Sequence, residues 1–189
     1  MAKKTKKIPL TEKISGFIQK NKAIIKFCLL FGVYVGAFFG LFILATVYAL
    51  KPLVALNVFT ARSVQIAASL LGLAPTASSS YLTVKGFSIE VITECTGLFA
   101  AFVFLACVLA YPTKVVKKII GIFAGIIVIY ILNIIRMLCL IFVGIRAPQH
   151  FDFVHVYLWE GVFIIVVLML WLVWLDKVVK DVRKVAVSG

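Results

Sequence analysis

Long, nearly charge-free apolar runs constrain this chain more than any other feature of its sequence. They lie at about Phe27–Leu50, Thr96–Tyr111, Ile119–Ile145 and Val154–Leu175, each with at most one charged residue. A helix rises about 1.5 Å per residue, so roughly 20 apolar residues cross the ~30 Å hydrocarbon core of a bilayer. Thr96–Tyr111 is short for this and is expected to extend at either end. Hydrophobic residues make up 63% of the 189, against roughly 45–50% in soluble domains. So much apolar surface has nowhere to hide in a water-soluble fold. The expectation is an all-α polytopic membrane helix bundle of about four spans.

The lysines and arginines set its direction. Lys3, Lys4, Lys6, Lys7, Lys13, Lys20, Lys22 and Lys26 precede the first run. Lys114, Lys117 and Lys118 separate the second from the third, and Lys177, Lys180, Arg183 and Lys184 follow the fourth. Basic loops stay cytoplasmic. The chain therefore divides into a basic cytoplasmic segment (1–26), a membrane-embedded domain (27–175) and a basic cytoplasmic tail (176–189), with both termini inside. Lys51–Glu94 and Arg146–Phe153 then face outward. The first run is too long for a signal peptide and lacks a small-x-small cleavage site, so it is read as a retained span. The net charge of +13 flanks the apolar runs instead of lining a face, which argues for anionic lipid contacts and against nucleic acid.

Two outer segments have their own patterns. In Leu53–Leu73, Arg62, Gln65 and Ser69 share one helical face among apolar residues. Were it to span, the Lys114–Lys118 loop would fall outside, so it is read as an interfacial or re-entrant helix. A polar turn, Thr76–Ser80, follows Pro75. In Tyr81–Thr93, Phe87, Ile89 and Val91 alternate with Ser88, Glu90 and Ile92, and Gly86 offers a bend. A period of two predicts a short β-hairpin leading into Cys95.

Ionisable groups inside a membrane are costly and need a reason. Arg136 stands 18 residues beyond Lys118, about 27 Å along a helix, in the outer part of the third run. Asn133 shares its face. An arginine here either snorkels to the headgroups or faces a partner or wet cavity; the helix continuing to Ile145 favours the second. Cys95 lies where an extended segment becomes a helix, with Thr93 or Thr96 available as a cap. A helix dipole and a nearby guanidinium would lower its pKa, whereas a lone cysteine in an apolar setting is ordinarily a small hydrophobe. The latter description suits Cys28, Cys107 and Cys139. His155 opens the fourth run at the depth expected for Cys95, and His150 reads as a solvated loop residue. Glu160 lies more than one turn deeper, and Glu94 and Asp152 stand at the rim, each able to orient a partner. Neither the four cysteines nor the two histidines have disulfide or metal-ligand spacing, so no metal and no cofactor are expected.

The topology thus brings Cys95, Arg136 and His155 to one membrane level, though none was used to build it. A thiol, a guanidinium and an imidazole suit acyl transfer: nucleophile, oxyanion or carbonyl holder, and acid/base.

The same residues resemble the signature motifs of the exosortase/archaeosortase family of membrane transpeptidases. Glu94-Cys95-Thr96-Gly97-Leu98 resembles its Cys-x-Gly motif and Asn133-Ile134-Ile135-Arg136-Met137 its Asn-x-x-Arg motif. His155 followed by Gly161 resembles its His-containing third motif. The resemblance implies a membrane-embedded thiol protease and transpeptidase. It would cut surface proteins at a C-terminal transmembrane sorting signal and pass them from a Cys95 thioester to a lipid or glycan acceptor. Arg136 would hold substrate or oxyanion, His155 would move protons, and Asn133, Glu94 and Glu160 would support. Two other readings stay open on sequence. One is a plain endoprotease in which water resolves the thioester. The other is a non-enzymatic membrane subunit or small transporter whose Arg136 binds an anionic lipid or solute, though no repeat or broken helix favours a transporter.

Overall fold

The computed structural model describes residues 21–48 and 51–180, together with Gln19. Leu50, most lysines of the 1–26 segment, and Arg183 and Lys184 lie outside the described residues. The chain is mostly helical. Helix α1 covers Lys22–Val47, α2 Lys51–Leu70, α3 Leu98–Ala110, α4 Val115–Arg146 and α5 Trp159–Trp174. A π-helical turn, Phe153–Leu158, runs into α5, and another, Leu175–Lys180, leaves it. Between α2 and α3 lie strands β1 (Thr76–Ser78), β2 (Tyr81–Val84) and β3 (Phe87–Glu90), then a 3-10 turn, Thr93–Thr96.

Among the described residues four helical stretches are long and apolar enough to cross a membrane: Lys22–Val47, Lys51–Leu70, Val115–Arg146 and Phe153–Val179. The chain is a multi-pass membrane protein. The number agrees with expectation, but the set differs. The second predicted span does not extend: α3 has 13 residues, about 20 Å of helix. Gly97, at φ 78°, breaks it from the preceding turn. Its other end stops at Tyr111, which is extended (ψ 130°) because Pro112 disfavours helix in the residue before it. The fourth long helix is α2, the segment read as interfacial. Its partners are the 3-10 turn, α4, β1 and β2, so it lies against the sheet-bearing end of the bundle. Gln65 there donates to the Pro75 carbonyl (3.4 Å) and Ser69 to that of Gln65 (2.9 Å). Arg62 is exposed.

The hairpin has a third strand. Thr76–Ser78, read from sequence as part of a polar turn, instead pairs with β2 in an antiparallel sheet ordered β1-β2-β3. Lys85 and Gly86, both at positive φ (49° and 83°), form the two-residue connection that suits the twist of a β2–β3 hairpin. The period-two pattern holds: Leu82, Val84 and Val91 are buried while Ser88, Glu90 and Ile92 are exposed.

Helix α3 is the centre of the bundle, packed against α1, α4 and α5. On α1, Phe38, Phe39 and Phe42 meet Phe99 and Phe102 at ring separations of 5.0–5.3 Å for the closest pairs. No residue of α1 is buried, so its remaining faces are left to lipid. Glycines let α4 come close to its neighbours. A Cβ at Gly125 would stand 2.0 Å from the Phe104 ring, and one at Gly121 2.3 Å from Trp174. Two cores result. One, at the sheet, gathers Ala61, Val64, Leu82, Val84, Val91, Cys95, Met137, Leu140 and Ile141. The other gathers Phe104, Val108, Ile129, Val167, Trp174 and Val179 around the short helix.

Candidate active site

The 3-10 turn carrying Cys95 is pinned from two sides. Asn133 of α4 donates from Nδ2 to the Cys95 carbonyl (2.8 Å), and the Thr93 hydroxyl donates to Asn57 Oδ1 of α2 (3.2 Å). Thr96 donates back to the Thr93 carbonyl (2.6 Å). The two threonines thus tie the turn to itself and to α2, and neither caps α3, contrary to the expectation from sequence. Gly97 closes the turn. It holds a left-handed φ of 78°, and a Cβ there would lie 3.3 Å from the Asn133 side chain. Both facts call for glycine: an L side chain strains at that φ, and Asn133 would have to retreat from the carbonyl it holds.

Cys95 is 2% exposed, and its Sγ lies 3.7 Å from Nε2 of His155. His155 sits in the π-helical turn, its ring stacked on Phe151 at 5.6 Å and 18°. Such wide turns inside helices re-aim side chains and cluster at functional positions. Arg136, one turn beyond Asn133 on α4, lies with its guanidinium 5.5 Å from the centre of the Phe163 ring. Its charge is close enough to act on Cys95.

Electrostatics depart from expectation in one respect. Burial pushes the Cys95 thiol above its ordinary range, and exposed Glu94 adds to this. The Arg136 guanidinium works in the other direction and does not offset burial. Sequence position suggested a lowered pKa from a helix dipole, but Cys95 precedes the helix, beyond the Gly97 break, and is nearly dry. A thiol so placed is protonated at neutral pH and needs a base within reach; the His155 imidazole, 3.7 Å away, is such a base.

The structure therefore brings together Cys95, His155, Asn133 and Arg136 from three separate segments. Glu94 and Glu160 are exposed, and Glu160 does not take the place beside Arg136 that Phe163 fills. His150 ends an exposed 3-10 turn, Pro148–His150. The other cysteines are free, with Cys28 and Cys139 exposed and Cys107 half-buried. Asn57, Phe151, Trp159 and Phe163 were not singled out from sequence. Only Asn57, a polar residue in an apolar helix, carried a signal that could have marked it.

The model of the family described as transmembrane exosortase (Exosortase_EpsH) matches residues 25–178. No curated protein and no solved structure matches the chain. That span takes in every transmembrane stretch from Ile25 onward, the sheet, the 3-10 turn and all four site residues, and the chain belongs to the transmembrane exosortase family.

Proposed function

We propose that this protein is a membrane-embedded cysteine transpeptidase that cleaves the C-terminal sorting signal of exported surface proteins. Such a signal consists of a short motif, a transmembrane helix and a basic tail. The observation that carries the reading is the 3.7 Å approach of His155 Nε2 to Cys95 Sγ, in a chain of the exosortase family. With the thiol's pKa raised, His155 takes the Sγ proton as the sulfur attacks the carbonyl carbon at the cleavage site. A C–S bond forms and the carbonyl electrons move onto oxygen, where the Arg136 guanidinium faces them. The intermediate then collapses. The C–N bond breaks, the imidazolium returns its proton to the leaving amine, and a thioester remains on Cys95. An acceptor nucleophile on a lipid or glycan, deprotonated by His155, displaces the sulfur and carries the protein to its anchor.

The basic flanks support an orientation with both termini cytoplasmic and this site at the outer boundary. There the cut site of a substrate helix would emerge beside Cys95. The test is processing of a co-expressed tagged reporter ending in a polar linker, an apolar helix and a basic tail. Wild type should shorten it, and Cys95→Ala and Cys95→Ser should not, at equal membrane insertion. Full processing by Cys95→Ala would refute the reading.

A further inference from the structure

One helical face presents three aromatic rings to the site. His155, Trp159 and Phe163 recur every four residues, so they line up along one side of the π-helical turn and α5. His155 reaches Cys95 at the top of this stripe, and Phe163 lies under Arg136 lower down. Trp159 stands between them, packed on the core that contains Cys95, its ring 6.4 Å from that of Phe163.

Trp159 carries an unused donor. Its Nε1 is buried and without a hydrogen-bond partner among the described residues, and so is Nε of Arg136. A buried N–H left unpaired is expensive, and native folds keep few of them. Of the other two tryptophans, only Trp174 has a hydrogen-bond partner among the described residues. Trp174 donates to the Lys117 carbonyl (3.0 Å). Trp171, also unpaired, is enclosed by the rings of Phe27 and Tyr111, the latter nearly edge-on at 78°. An interfacial tryptophan would turn its N–H to the headgroups, but that of Trp159 is sealed from them. The unpaired Oδ1 of Asn133 is an acceptor, so it offers nothing to a carbonyl oxygen.

We propose that the indole N–H of Trp159 and the Nε–H of Arg136 together form the oxyanion site of this enzyme. The ligand is the carbonyl oxygen of the scissile peptide bond, which gains negative charge when Cys95 attacks. Two fixed donors in a dry site suit this role, because they need no reorganisation as charge develops. Trp159 is held on one side by the Phe163 ring and packs against the core that contains Cys95.

The inference rests on the acyl-transfer reading, and its experiment separates the two. Wild type, Cys95→Ala and Trp159→Phe are compared in processing of the tagged reporter, and in the rate at which iodoacetamide alkylates Cys95. A fourth protein carries benzothienylalanine at 159, which keeps the shape and replaces the N–H by sulfur. Loss of one oxyanion donor costs about 10²–10³ in rate. The expected result is therefore a roughly 100-fold slower formation of the Cys95 thioester in both 159 variants, with Cys95 alkylation unchanged. Wild-type processing in the benzothienylalanine protein overturns the assignment of Trp159 and leaves the acyl-transfer reading intact. A parallel loss of alkylation in that protein also overturns it, since Trp159 would then serve only to shape the site. Processing by Cys95→Ala removes both.

Discussion

The two cores of this bundle are built for different purposes. The core around α3 is almost wholly apolar and closely fitted. Phe104 lies over Gly125 and Trp174 over Gly121, and the aromatic rings of Phe27, Tyr111 and Trp171 cluster beside them. The core at the sheet is apolar too, but it surrounds a polar seam. Thr93–Asn57, Asn133–Cys95 and Cys95–His155 contacts run through it. Of the five buried polar atoms without partners among the described residues, four lie there, Thr60 Oγ1 on α2, Asn133 Oδ1, Arg136 Nε and Trp159 Nε1, and the fifth, Trp171 Nε1, lies in the other core. In hydrocarbon such groups destabilise a fold. The first region therefore supplies stability through close packing, and the second gives some of it up for a site whose donors are in place before substrate arrives.

Substitutions can break this division. The largest effect is expected from Arg136→Ala, which should slow reporter processing by about 10²–10³-fold. The same variant should shift Cys95 alkylation to higher pH. Arg136 lowers the thiol's pKa, so its loss removes part of what counters burial and leaves less thiolate at any given pH. An alkylation profile that moves to lower pH, or not at all, would separate the guanidinium from the thiol.

A middle-sized effect should distinguish the cores directly. Gly125→Ala forces the Phe104 ring to shift, costing about 1–3 kcal/mol of stability as overpacking does. Cys95 alkylation per folded molecule should stay at the wild-type value. Gly97→Ala meets a left-handed φ and the Asn133 side chain, and costs a similar ~1–2 kcal/mol, but should also change the alkylation rate. Thermal denaturation in detergent alongside iodoacetamide kinetics measures both quantities. If Gly125→Ala also altered alkylation, the two cores would be one unit. The smallest effect belongs to Glu94→Gln. Glu94 raises the Cys95 pKa from an exposed position, so its removal should speed alkylation at neutral pH by about twofold or less, since solvent screens it.

Much of the fold was legible from residue pattern. The long apolar runs gave helices within a few residues of their observed ends, and the alternation of Phe87, Ile89 and Val91 gave a strand with the right face inward. The failures are instructive. Thr76–Ser78 reads as a turn because three small residues, Thr-Ala-Ser, are too few to show a strand period; they are a strand because β2 offers them an edge. Helix α3 was expected to lengthen, but Gly97 and Pro112 stop it on both sides. Arg136 stands out in the sequence as a charge in an apolar run, Cys95 as a thiol where an extended segment becomes a helix, and His155 as an imidazole opening the fourth run at the same depth. Trp159 and Phe163 carry no such signal, because an aromatic residue near a membrane boundary is ordinary and nothing local shows which way an indole N–H points.

The sequence by itself determined that this chain enters a membrane, which ends of its helices are basic, and which ionisable residues need explaining. These follow from transfer free energies, which are properties of single side chains and short runs. Only the tertiary structure decided that His155 meets Cys95, that Phe163 rather than Glu160 lies beside Arg136, and that the thiol's pKa rises. Such outcomes depend on groups 60 residues apart, on a glycine at positive φ, on a wide helical turn, and on how completely packing excludes water from one sulfur atom.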